Sequence, residues 1–240
     1  MRHKTRGIVL KHTNYSETSV VAQIFTEKFG LQSYIVNGAR RPRAKIGTVL
    51  LQPLFLLDMV VSYNERGTLH RIAEARQLPA FQTIPYDVYK RAVLLFLNEM
   101  LYKSLRQQAT DEPLFDYIFN AVSWLDSAEK MPPDFHLYFL VKLSKFLGFH
   151  PAPPKPGCVF FDLKDGVFCQ TLPGHPFALQ HPHTTHFASL LSCSMEQLPS
   201  LRIPLADRRF LLERIIDFYR LHIDSLGEIK SHAILEEVLG

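Results

Sequence analysis

Cysteine is scarce in this chain, with three in 240 residues, at positions 158, 169 and 193. An odd and small number builds no disulfide framework and suits a reducing compartment. Long apolar runs are missing as well. The best stretch, VLLQPLFLLDMVVSY at 49–63, is interrupted by Gln52, Pro53 and Asp58, and is too short and too polar for a membrane span. The opening MRHKTRGIVLKH turns polar before a signal-peptide core can form. The expectation is a soluble, cytoplasmic protein without a membrane partner. Phosphate-binding glycine loops, G-x-G-x-x-G, G-x-S-x-G and H-E-x-x-H are all absent, so no enzymatic chemistry is expected. Acidic residues are nearly missing from the first fifth: residues 1–47 hold nine Lys or Arg against Glu17 and Glu27, a balance of +7, while the remainder holds 18 basic and 21 acidic residues.

What is present is a globular composition, 47% hydrophobic and 21% charged, in a chain long enough to bury a core without staples. The positive charge is concentrated in NGARRPRAKIG (37–47), where Arg40, Arg41, Arg43 and Lys45 fall within six positions between Gly38 and Gly47. Pro42 and the glycines argue against a helix there. Guanidinium groups on an irregular loop offer bidentate contacts to phosphate, and charge of one sign gathered in one segment is the footprint of a polyanion partner, most commonly nucleic acid. The competing reading is a solvated loop that keeps the chain soluble. Arg2, Lys4, Arg6 and Lys11 add to the positive field, and Tyr15, Phe25 and Tyr34 are candidate stacking faces beside it, although such aromatics are more often core.

Alternation and turn residues predict five strands in residues 6–79: 6–12, 19–27, 31–37, a long bent strand across 48–64 with Pro53 at an edge or bulge, and 68–78. Five strands with a long third connection suit a small barrel, an OB-fold or an SH3-like barrel. From Tyr86 the period becomes helical. Helices are predicted over 88–105, 112–128 with Pro113 in the first turn, and 132–149 ending at Gly148. A proline-rich linker (150–158), a short hairpin with its turn at Lys164-Asp165-Gly166, and a polar His/Pro loop (173–186) follow. The strongest helix is expected at 204–227, with Leu212, Ile216, Tyr219, Ile223 and Leu226 on one stripe. A last helix closes the chain. The domains expected are 1–80 for the barrel, 81–150 with 187–240 for a helical domain, and 151–186 for a hairpin insert.

Two further clusters need weighing. Cys158, Cys169, His175, His181, His183 and His186 lack the C-x2-C spacing of a structural zinc site, so small buried thiols and loop histidines explain them without metal. On the helices, Lys90, Arg91, Lys103 and Arg106, and Arg208, Arg209, Arg214 and Arg220, flank apolar faces. Such a face rimmed with cations would take an acidic peptide tail ending in an aromatic residue; packing against a neighbouring helix is the favoured reading.

The segment GIVLKHTNYSETSVVAQIFTEKFGLQSYIVNGARRPRAK (7–45) resembles the start of the RecO family of bacterial recombination mediators. The likeness lies in Tyr15-Ser16-Glu17, in Phe25, Thr26 and Gly30, and in Gly38 to Pro42. LGFHP (147–151), FDLKDGVFC and the closing IKSHAILEEVL extend it over essentially the whole chain. The resemblance implies an α+β protein: an N-terminal five-stranded OB-fold barrel, then an α-helical domain with a small insert that often binds zinc. Here that insert is degenerate, only Cys169 aligns, and the expectation is no cofactor and no metal. The resemblance also implies binding of single- and double-stranded DNA, annealing of complementary strands, displacement of single-strand binding protein, and loading of RecA with RecR, in a bacterial, nucleoid-associated setting. Arg2, Lys4, Arg6, Lys11, Arg40, Arg41, Arg43 and Lys45 are the expected DNA-binding residues, and Lys90, Lys103, Arg106 and Arg209 the partner-binding ones. The alternative is an adaptor for single-strand binding protein and RecR in which DNA contact is incidental; a metal-dependent enzyme on the His/Cys stretch is a third class.

Overall fold

Stretches of apolar residues within the first 77 positions build five strands: β1 (Arg2–Asn14), β2 (Val20–Thr26), β3 (Gly30–Val36), β4 (Leu56–Ser62) and β5 (Leu69–Gln77). In this computed structural model, which describes residues 2–105 and 109–239, they close into a barrel in the order β1-β2-β3-β5-β4. β3 and β5 run parallel at the closure, and the other pairs are antiparallel. This is the five-stranded OB-fold arrangement expected from the sequence. Val9, Ile24, Tyr34, Val36, Leu57, Met59 and Val61 fill the interior. Gly7 is needed where β1 crosses this core: a Cβ there would stand 2.5 Å from Met59 Cε and 2.7 Å from Ile24 Cγ2. The register sets Asn14 opposite Val20 and Val20 opposite Val36. The β1–β2 loop (15–19) and the start of the β3–β4 connection (37–55) therefore leave the barrel at the same end.

The long bent strand expected across 48–64 is corrected. Thr48–Leu51 is a 3-10 turn, Leu54 takes a left-handed φ of 57°, and β4 begins only at Leu56. Pro53 lies in the turn, where its missing N–H breaks no ladder.

The chain divides into two units, Met1–Ala128 and Glu129–Gly240. The first thus contains the barrel together with α1 (Val88–Ser104) and α2 (Glu112–Ser127). Asp87 caps α1 by accepting from the N–H groups of Tyr89 and Lys90, and Asp111 caps α2 with Pro113 in its first turn. α2 lies against the barrel through Phe115 and Phe25, whose ring centroids are 6.0 Å apart. Asn98 of α1 donates to the Leu10 carbonyl (3.0 Å). The link between barrel and α1 is held by the buried Asp126 carboxylate, which accepts from the N–H groups of Gln82, Thr83 and Ile84 at 2.8–2.9 Å.

The second unit begins with α3 (Phe135–Phe146), shorter than the 132–149 expected. A three-stranded sheet follows: β6 (Phe160–Asp162), β7 (Val167–Cys169) and β8 (Ala178–Leu179), in the order β7-β6-β8. Then come α4 (His183–Ser192), α5 (Leu205–His222) and α6 (Ser231–Leu239). The His/Pro stretch at 173–186 is not all loop: it contains the two-residue β8 and the first turn of α4. Its apolar signal, Thr184, Phe187 and Leu190 buried three apart, is hidden in the sequence under polar residues and three histidines. α5 stops at His222, so Ile223 is its C-cap and Leu226 is buried beyond its end. Rings hold the small sheet: Phe161 meets Phe168 at 4.8 Å, Phe187 of α4 at 4.6 Å and Phe218 of α5 at 5.8 Å. Tyr219 ties α5 to α3 by donating to the Leu140 carbonyl (2.7 Å). Among the described residues no helix is long and apolar enough to cross a membrane.

Candidate nucleic-acid interface

The basic loop is built by two inward anchors. Ala39 and Ile46 are 3% and 7% exposed and belong to the barrel core. Thr48 N–H donates to the Ala39 carbonyl (3.3 Å) and narrows the neck. Between the anchors residues 40–45 are held out as an arc. Arg41 N–H donates to the Gly38 carbonyl (3.0 Å) and Ala44 N–H to the Arg41 carbonyl (3.2 Å), two successive turns. Gly38 (φ 71°) and Arg43 (φ 60°) take the left-handed conformation; for Arg43, a residue with a Cβ, that costs ~1–2 kcal/mol. Arg40, Arg41, Arg43 and Lys45 are all exposed, and among the described residues none of them is within ion-pair distance of a carboxylate. Arg40 also fastens the arc to the β1–β2 loop: its backbone N–H donates to the Thr18 carbonyl (3.1 Å) and its Nη1 to the Ser16 carbonyl (3.1 Å).

The other expected cations fare unequally. Lys4 shares a surface groove with Lys45, along with Asp58, Glu74 and Arg76. Asp58 lies 3.8 Å from Lys4 and 2.9 Å from Arg76, so that groove is of mixed charge. Lys11 is exposed, its Nζ 5.0 Å from the centre of the Tyr102 ring. Arg2 is exposed at the far end of β1, opposite Ser62.

Arg6 is a correction. It donates to Glu27 through Nη2 (2.8 Å) and Nε (3.1 Å), and to Asp116 at 2.8 Å. Its guanidinium also lies about 5 Å from the Phe115 and Phe119 rings. The Glu27 hydrogen bond holds the guanidinium protonated more firmly than usual and, in return, pulls the Glu27 carboxyl below its ordinary value. A guanidinium occupied on its edge and its face serves the join between barrel and α2, not phosphate. Phe25 and Tyr34 take the core alternative: both are 0% exposed. Tyr15 alone of the three candidate stacking rings is exposed, at 63%.

Among the expected partner-binding residues, Lys90 is corrected by its burial, at 1% exposed. Its ammonium donates to Thr83 Oγ1 (2.7 Å) and the Ala128 carbonyl (2.5 Å), so it braces the link between barrel and α1. Lys103 is mostly covered and paired with Glu99 at 2.8 Å. Arg106 lies outside the described residues. Arg209 is exposed and, with Arg208, lines a small pocket floored by Leu205, Leu212, Leu235 and His136. The free space inside is about 20 Å³, room for a water and not for a phenyl ring. Near it, burial pushes the carboxyl of Asp134 up to about 6, with the Arg208 charge opposing, and burial pushes the His136 imidazole down to about 3.

Cys158 and Cys169 flank the small hairpin, and Phe160 sits opposite Cys169. His183 and His186 both approach Asp207, at 3.3 and 3.2 Å, and His175 approaches Asp162 at 3.2 Å. Among the described residues no group of three His, Cys, Asp or Glu is arranged to hold a metal ion.

Sequence comparison places these features in a wider group. Residues 1–81 match the family model described as Recombination protein O N terminal, and residues 85–232 match Recombination protein O C terminal. The chain is 35% identical over 240 residues to a DNA repair protein RecO of Phocaeicola vulgatus. It is 34% identical to one of Bacteroides fragilis and 33% to one of Flavobacterium johnsoniae, with 99% of each chain covered in all three comparisons.

Proposed function

The chain belongs to the RecO family of DNA repair proteins, and on that premise we propose that it is a recombination mediator acting by binding rather than by catalysis. The observation that carries this reading is the arc of Arg40, Arg41, Arg43 and Lys45, exposed, without carboxylate partners among the described residues, and anchored in the barrel core by Ala39 and Ile46. Phosphates of single- or double-stranded DNA lie against the arc, and each one neutralised releases condensed counterions. Neutralising two strands at once lets them approach, and weak contacts at many points let them slide into register, so annealing needs no catalytic group and no cofactor. In the bacterial cytoplasm, at the nucleoid, the same chain works with RecR to place RecA on DNA coated by single-strand binding protein.

The Arg208/Arg209 pocket supports a second element, capture of the acidic C-terminal tail of single-strand binding protein. The cations suit the acidic residues and the leucine floor suits a terminal aromatic ring. The ring enters only if α6 shifts, and α6 buries Leu235 alone. If this pocket does all the work, the chain is an adaptor and its DNA contact is incidental.

One pair of variants separates the two. Changing Arg40, Arg41, Arg43 and Lys45 together to Glu is expected to slow annealing of complementary oligonucleotides by about tenfold or more. Arg209→Glu is expected to leave annealing intact and to weaken binding of a tail peptide. Annealing at the parental rate by the charge-reversed arc refutes the DNA-binding reading and leaves the adaptor.

A further inference from the structure

Phosphate contacts do not tell a single strand from a duplex. The end of the barrel that carries the arc also carries one group that does. Tyr15 opens the β1–β2 loop, which leaves the barrel beside the arc because Asn14, Val20 and Val36 share one rung of the sheet. Its ring is 63% exposed. The backbone beneath it is fixed: Tyr15 and Ser16 N–H both donate to the Ser19 carbonyl, at 3.0 and 3.2 Å, and Ser19 N–H donates to Ser16 Oγ at 3.2 Å. Arg40 then joins this turn to the arc through the Ser16 and Thr18 carbonyls.

Other barrel aromatics are occupied. Phe25 and Tyr34 are buried, and Phe29 stacks on Tyr63 with ring centroids 4.0 Å apart. Among the described residues of the five strands and their loops, Tyr15 is the exposed aromatic ring. It is a flat apolar face on a hydrogen-bonded turn that Arg40 ties to the arc.

We infer that Tyr15 is a base-stacking residue that gives the arc a preference for single strands. This rests on the reading that the arc binds DNA. An unpaired base offers a free face to the phenol ring while the neighbouring arginines hold its phosphates; a duplex keeps its bases stacked on each other and offers none. Tyr15 therefore sets strand form, and the arc sets overall affinity and salt dependence.

The test is fluorescence anisotropy with three probes of equal length: a labelled oligo-dT, the same strand made abasic, and a duplex. The proteins are the parent, Tyr15→Ala, Tyr15→Phe, and the variant with Arg40, Arg41, Arg43 and Lys45 all changed to Ala. The parent is expected to bind oligo-dT roughly 5- to 100-fold more tightly than the abasic strand. Tyr15→Phe keeps that gap, and Tyr15→Ala closes it, with the weakening confined to base-bearing single strands. A gap that survives in Tyr15→Ala overturns the inference. An arc variant that binds all three probes as the parent does overturns the underlying DNA reading instead, so the two failures are distinguishable.

Discussion

Asp134 and His136 make a prediction that can be worked to a number. Asp134, just before α3, is 0% exposed, and His136 is 3% exposed. Arg208 Nε stops 3.9 Å from the Asp134 carboxylate, so burial dominates and the carboxyl rises from 3.8 to about 6. Between those values the folded chain binds more protons at Asp134 than the unfolded chain does. The stabilisation is thus fully present below pH 3.8 and is lost as pH rises through 6, about 3 kcal/mol in all. His136 runs the other way. Its imidazole falls from 6.5 to about 3, so its contribution is present above pH 6.5 and is lost as pH falls towards 3, about 5 kcal/mol in all. Between about pH 4 and pH 6 the two slopes oppose, each ~1.4 kcal/mol per pH unit. In Asp134→Asn the histidine is left alone. Urea unfolding followed by far-ultraviolet circular dichroism at pH 4, 5, 6 and 7.5 reads the difference between variant and parent, which cancels the titrating groups that are not coupled to Asp134. The variant is expected to gain on the parent by ~3 kcal/mol between pH 4 and 6.5. A difference that does not change with pH refutes the reasoning.

Lys90→Met keeps most of the methylene packing but removes the buried ammonium from Thr83 and Ala128. A destabilisation of ~2–4 kcal/mol and a fall of about 10 °C in Tm are expected by thermal melting, with tail-peptide binding unchanged at low temperature; a parental Tm means that Lys90 braces nothing. Burial pushes the Asp126 carboxyl up, but the N–H groups of Ile84, Gln82 and Thr83, with the Lys90 charge, outweigh it and hold the carboxyl below its ordinary value. Its stabilisation is therefore present above the unfolded value of 3.8 and is lost as pH falls through the lower folded value. Asp126→Asn is expected to cost ~1–3 kcal/mol at pH 7, and a cost that does not shrink towards pH 3 contradicts that assignment.

The barrel is legible in the sequence because alternation and turn residues both repeat at the strand period, and because the third connection is long. The start of its fourth strand is not, because VLLQPLFLL is apolar on every side and carries no period. α4 is hidden because three of its ten residues are buried and histidines crowd its start. In the site, charge shows the arc at once, since Arg40, Arg41, Arg43 and Lys45 stand together in sequence. Charge alone does not separate them from Arg6, whose partners Glu27 and Asp116 lie 21 and 110 residues away. Lys90 looks like a rim cation in sequence because Arg91 stands beside it, and only the fold brings Thr83 and Ala128 to its ammonium. Ala39 and Ile46 carry no charge and give no functional signal, yet they are what turns a basic stretch into a presented loop.

The most direct test of the account is binding of single-stranded DNA as a function of salt, for the parent and for the variant with Arg40, Arg41, Arg43 and Lys45 changed to Ala. If the arc holds phosphates, affinity drops and the slope of log affinity against log salt falls by ~0.7 for each phosphate no longer held, about 3 if all four side chains engage. Unchanged affinity and slope would contradict the account, reduce the arc to a solvated loop, and move the function to the Arg208/Arg209 pocket.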